Sequence, residues 1–174
     1  LSKYTPLSAT DLIDLANNRK VAIVDLSDAG LPGIVFVTDL TAAQQQTLAG
    51  KMKNSRVRQN TSENWIEYNW GDLAEADAAK ILEMCLVTDE QGGARLAAMF
   101  EEAEAATDEP VKFITVPSSE LVMVFDQMAS KMGKGSAVRE RLNSLSNAAT
   151  SLIAKKVREI SGLAKDEVDE KKGD

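Results

Sequence analysis

The spacing of apolar residues changes period several times along the chain, and each change marks an element. Leu12, Ile13, Leu15 and Ala16 follow Ser8-Ala9-Thr10-Asp11, a helix-start signature, so a short helix is expected there. After Asn17-Asn18 the period shortens. Val21, Ile23 and Leu26, then a Gly30-Leu31-Pro32-Gly33 break, then Ile34, Phe36 and Val37 predict two strands around a turn. Thr41-Ala42-Ala43-Gln44 has the spacing of a capping box, in which a threonine oxygen meets the third helical amide and a glutamine reaches back. A helix from about Thr41 towards Lys53 follows from it.

Residues 54–72 lose the pattern at Asn54, Ser55, Asn60, Thr61 and Ser62, and read as a loop that holds Trp65, Ile66, Tyr68 and Trp70. Ala78, Ile81, Leu82, Cys85 and Leu86 then share one helical face, with Glu75, Lys80 and Glu83 away from it. Thr88 to Gly93 is expected to close this helix, and Arg95 to Ala106 to resume it. The stretch Asp108 to Pro117 is bounded by prolines and reads as extended. Ser118 or Ser119 is expected to cap the next helix, where Leu121, Val124, Phe125, Met128 and Met132 form a stripe. Gly133-Lys134-Gly135 separates it from a longer helix whose apolar face holds Val138, Leu142, Leu145, Ala149, Leu152, Ile153 and Ile160.

The expected fold is therefore mainly α with a small β-hairpin near the N-terminus, a helix-dominated α+β chain. One helix-rich domain is expected over residues 1–163, with the hairpin at about 20–38. Residues 164–174 carry mixed charge and almost nothing to bury, so they read as a flexible tail. Composition agrees, with 44% apolar, 27% charged and only 5% aromatic residues.

Charge narrows the partners. Residues 1–62 carry 7 basic and 5 acidic side chains, residues 63–126 carry 3 and 15, and residues 127–174 carry 10 and 7. The acidic middle repels phosphate and argues against nucleic acid as a partner. Lys51, Lys53, Arg56 and Arg58 form the one basic cluster, which reads either as a solvated helix end or as a local contact patch. No stretch has the roughly 18 to 20 apolar residues needed to span a bilayer, and a signal-peptide order is not seen, so a cytoplasmic, non-membrane protein is expected.

Chemistry is sparse. The chain has no histidine and one cysteine, which removes the ordinary serine and cysteine catalytic arrangements, histidine metal sites and an internal disulfide. Cys85 reads as a core residue. Gly133-Lys134-Gly135-Ser136 lacks the earlier glycine, the adjacent Lys-Ser and the preceding strand of a phosphate loop. Glu101, Glu102 and Glu104 read as a solvated face. No catalytic residue, cofactor or metal is expected, and the chain is expected to be a binding protein and not an enzyme. Candidate protein contacts are Trp65, Trp70, Met128 and Met132. The tryptophans either dock their loop or anchor a partner, and the methionines either fill the core or line a pliable groove.

The order of these phrases resembles the tail assembly chaperones of long-tailed bacteriophages. The resemblance rests on Gly33-Ile34-Val35-Phe36-Val37 running into Leu40-Thr41-Ala42-Ala43-Gln44, and on the helix Ala79 to Leu86 ending in Val87-Thr88-Asp89-Glu90-Gln91-Gly92. The later helix around Arg141-Leu142-Asn143-Ser144-Leu145 and the charged tail complete it. It spans roughly residues 20–160, and departs from the family pattern at Gln44 and in the spacing of Leu96 and Phe100.

The resemblance implies a chaperone that coats the apolar tape-measure protein, recruits tail-tube subunits, works in the bacterial host cytoplasm and is absent from the mature virion. It also implies a longer form made by ribosomal frameshifting, for which Lys171-Lys172 is the candidate slip site; an absent downstream reading frame would exclude it. Two other classes remain: a structural tail or head-completion protein retained in the virion, and an acidic adaptor or antitoxin-like binder. The oligomeric state is left open, a homo-oligomer included.

Overall fold

The computed structural model describes residues 3–48, 78–88 and 93–163. Helix α1 (Ala9–Ala16) starts where its sequence signature places it. Ser8 Oγ accepts the Asp11 amide at 3.0 Å and Asp11 Oδ2 accepts the Ser8 amide at 2.8 Å, so two otherwise orphaned donors are satisfied reciprocally. One residue later the chain enters strand β1 (Asn18–Asp25), which pairs antiparallel with β2 (Ile34–Thr38), Val21 opposite Thr38 and Asp25 opposite Ile34. The connection makes a 3₁₀ turn over Ser27–Ala29 and reverses at Gly30, whose φ of 81° is a left-handed conformation that glycine adopts without strain.

Residues 42–48 form helix α2. Its start is the expected capping box, with Thr41 Oγ1 accepting the Gln44 amide at 3.2 Å and Gln44 Oε1 accepting the Thr41 amide at 3.0 Å. The expected continuation to Lys53 and the loop over residues 54–72 lie outside the described residues.

Helix α3 (Ala78–Cys85) buries Ala78, Ile81, Leu82 and Cys85, as its spacing requires. It stops earlier than expected. Leu86–Val87 leave the helix as strand β3, pairing with Phe36 and Val37 of β2, so Thr88 follows a strand and not a helix, and the rest of the expected closing segment, residues 89–92, lies outside the described residues. Both residues are buried, and pairing with β2 supplies their backbone partners. Helix α4 (Gly93–Thr107) leads to strand β4 (Ile114–Pro117), which pairs with the start of β1.

The sheet order is β3-β2-β1-β4, antiparallel throughout. The expected hairpin near the N-terminus is thus the centre of a four-stranded sheet whose edges come from residues 86–87 and 114–117. The fold is α+β and dominated by helix.

Alternation along the central strands explains how both faces of the sheet are covered. Val21 and Phe36 face one way and join Leu96 and Phe100 of α4, with the Phe36 and Phe100 rings stacked at 6.2 Å. Ala22, Val24 and Val37 face the other way and pack with α3 and with helix α7 (Asn147–Ile160), through Ile81, Leu82, Ile153 and Val157.

Two further corrections concern the last third. Ser118 and Ser119 do not cap a helix: Ser118–Glu120 is a 3₁₀ turn, and helix α5 (Val124–Met132) begins after Met123, which leaves Leu121 outside the helical stripe. The single long helix is two, α6 (Gly135–Asn143) and α7, because Ser146 turns extended and its hydroxyl accepts the Ala149 amide at 3.3 Å, starting a new helix. Gly133-Lys134-Gly135 is a helix-to-helix joint. Gly133 ends α5 at φ 68°, and a Cβ on Gly135 would stand 3.2 Å from the Phe125 ring. Among the described residues, no helix is long and apolar enough to cross a membrane.

Candidate functional site

Helices α5, α6 and α7 do not close completely over the hairpin. Between them is an apolar cavity of about 410 Å³, within the roughly 300–1,000 Å³ typical of ligand pockets. Each element brings its part for a local reason. The α5 stripe supplies Val124, Met128 and Met132 at helical spacing. The α6–α7 pair supplies Val138, Leu142, Leu145, Ala149 and Ile153, and the hairpin turn supplies Leu26 and Leu31, with Val35 and Leu86 from the strands. Ala149, Ile153 and Val138 are buried and form the floor, whereas Leu31 and Arg141 are exposed and stand at the mouth.

Three features fix the helices around this opening. Glu83 of α3 receives Arg139 through two hydrogen bonds, Nε to Oε2 and Nη2 to Oε1, both 3.1 Å, and Lys80 also donates to Oε1 at 3.1 Å. These cations, Arg139 foremost, hold the Glu83 carboxyl below its ordinary range despite its partial burial. The Arg139 guanidinium also lies over the Phe125 ring at 5.9 Å, tying α6 to α5. On the far side, Ser161 Oγ accepts the Leu40 amide at 2.8 Å and anchors the end of α7 beside α2.

A second polar cluster lies at the opposite end of the hairpin. Arg19 donates from Nε to Asp39 Oδ1 at 3.1 Å and from Nη2 to Thr38 Oγ1 at 2.9 Å, to Gln44 Oε1 at 3.4 Å and to the Asp39 carbonyl. These bonds join β1 to the β2–α2 connection. Cys85 lies beside it, and burial pushes its thiol up to about 12, which leaves it protonated and without nucleophilic character at neutral pH.

Of the four sequence-derived contact candidates, Met128 and Met132 come together on the pocket wall, and Trp65 and Trp70 lie outside the described residues. Sequence reasoning missed the other walls. Leu31 was visible only as part of a turn, and Ala149 only as one apolar position among many. The sequence did carry one usable signal, the Ser146 cap that breaks α6 from α7.

The arrangement can bind but offers little chemistry. Among the described residues the wall is apolar, its only charged residue, Arg141, is at the mouth, and no group of three or more cysteine or carboxylate side chains could hold a metal ion. Such a site suits an aliphatic or aromatic side chain carried on a helix. In comparisons with known proteins, no family model, no curated protein and no solved structure matches this chain.

Proposed function

We propose that this chain is a phage tail assembly chaperone, a non-catalytic protein that takes apolar helical segments of a tape-measure protein into the pocket between α5, α6 and α7 and helps recruit tail-tube subunits. One observation carries the binding part of the reading: a pocket open to solvent, walled by apolar side chains and flanked by two methionines of one helix. Methionine is unbranched and polarizable, so such a wall adapts to varied apolar side chains. The phage assignment rests on the sequence resemblance, and the net charge of −7 fits a protein that keeps an apolar client soluble.

Co-expression with the tape-measure protein tests it. The soluble fraction of the client is expected to rise with this chain, the two are expected to co-purify, and Leu31→Glu at the pocket mouth is expected to remove most of the gain. A client indifferent to the chain, together with its detection in purified virions, would transfer the assignment to a structural tail or head-completion protein.

A further inference from the structure

The sheet has two edges, and the chain covers one of them. On the β3 side the Thr88 amide donates to the Val122 carbonyl at 2.9 Å and Val87 bridges to Met123. On the β4 side the ladder with β1 fixes which groups are spent. The Ser118 amide donates to the Asn17 carbonyl at 2.7 Å, and polar groups alternate along a strand, so Val116 and Ile114 also turn their amides and carbonyls to β1. Thr115 and Pro117 turn theirs outward, where no described residue bonds to them. The missing N–H of Pro117 thus costs the internal ladder nothing.

This edge has little of the usual protection against pairing, which is charge, a bulge or a cover. Residues 113–117 carry no charged side chain, and Pro117 is their one blunting device. Lys112 precedes them, and Lys20 of β1 lies over the Phe113 ring at 4.8 Å. The two ends of the edge are unlike. At the Ser118 end the bond to Asn17 holds the foot of α1, an eight-residue helix with no buried residue, whose Leu12, Ile13 and Leu15 are 56%, 62% and 56% exposed. So short a helix is marginal in water without packing, and its apolar side needs a cover. At the other end Phe113 is 39% exposed.

We propose that a second copy of the chain pairs with this edge, β4 against β4, antiparallel about a two-fold axis at Thr115. Two registers overlap the strands with outward groups facing. One sets Thr115 opposite Pro117 and leaves each Thr115 carbonyl facing a proline nitrogen, with no donor. The other sets Thr115 opposite itself, so that both of its groups are bonded and each Pro117 carbonyl accepts a Phe113 amide. Pro117 therefore selects the second. An extended peptide of another protein could also meet the ladder, but it would leave both ends of the edge bare. The antiparallel copy brings the α1 end of each chain against the Phe113 end of the other, so the unlike ends cover one another. A four-residue ladder alone is small for a stable interface, and the exposed side of α1 enlarges it. The contact is isologous and closes at two copies. It uses no residue of the pocket between α5, α6 and α7 and needs no client.

Light scattering after size exclusion, with the full chain at up to about 100 μM, reads the outcome directly. The wild-type chain is expected at the mass of two copies and no more. Thr115→Pro removes the outward amide at the axis and breaks no bond within the chain, so it is expected to halve the mass and keep the wild-type circular dichroism spectrum. Should that spectrum be lost, Thr115→Lys, which sets like charges face to face, replaces it. Leu12→Asp/Leu15→Asp is expected to weaken the pairing at least tenfold. In oxidant, Thr115→Cys is expected to form a disulfide-linked pair, because directly opposed, hydrogen-bonded residues lie about 5.5 Å apart. Pro117→Cys is expected to form none, because residue 117 faces residue 113; the native Cys85 is buried. A monomeric wild-type chain, a Thr115→Pro chain that keeps the mass of two copies, or linkage at residue 117 and not at 115 would each overturn the proposal. So would a monomer whose edge takes an extended client peptide in the wild type and not in Thr115→Pro, which would give the edge to the client.

Discussion

Glu83 concentrates the polar energetics around the pocket in one side chain. Its side chain is 10% exposed and takes three charged hydrogen bonds, while its main partner Arg139 is 53% exposed, so solvent screening limits the pair to about 0.5–1 kcal/mol. The carboxyl titrates below its ordinary 4.5 in the folded chain. A lowered folded value stabilises the native state above the unfolded value and loses that contribution as the pH falls through the folded one. Glu83→Gln is therefore expected to lower stability by about 0.5–1 kcal/mol at pH 7, with the difference from wild type closing in acid. Urea unfolding at neutral and acidic pH checks this, and a gap that persists in acid would refute it. Gly135 is the other residue whose identity matters beyond its own backbone, because any Cβ there presses on the Phe125 ring that Arg139 covers.

Among the elements, the two capping boxes show what local chemistry does and does not decide. Thr41→Ala removes the hydroxyl that accepts the Gln44 amide at the start of α2, whose Leu48 is fully buried, and is expected to cost about 1 kcal/mol. Ser8→Ala removes the same device from α1, but no residue of α1 is buried, so global unfolding is expected to stay within about 0.5 kcal/mol of wild type. Urea midpoints of the two variants compare them directly. Both helix starts were legible in the sequence for the same reason, a short-range pattern of fixed spacing. That the first helix lies uncovered was not legible, because an amphipathic sequence is the same whether its apolar side meets its own core or another molecule. Strand β3 was hidden differently: Leu86 and Val87 continue the apolar run of α3, and only pairing with β2 tells the last turn of a helix from a two-residue strand.

For the whole molecule, the pocket was legible only in its first wall, the Met128 and Met132 stripe, since the remaining walls depend on where α6 and α7 pack against a distant turn. The sheet raises a question of time. Its two central strands are sequence neighbours joined by a turn, whereas β4 pairs with β1 across most of the chain. Local contacts form before distant ones, which must first close a long loop. Val24→Ala in the hairpin is accordingly expected to slow refolding, and Val116→Ala in β4 to speed unfolding with little change in refolding, as stopped-flow traces would show. On the ribosome the same order leaves a finished hairpin whose β2 edge is unpaired until β3 has been made and whose β1 edge stays open until β4 follows much later, so the nascent chain is most open to wrong partners before its own last strand arrives.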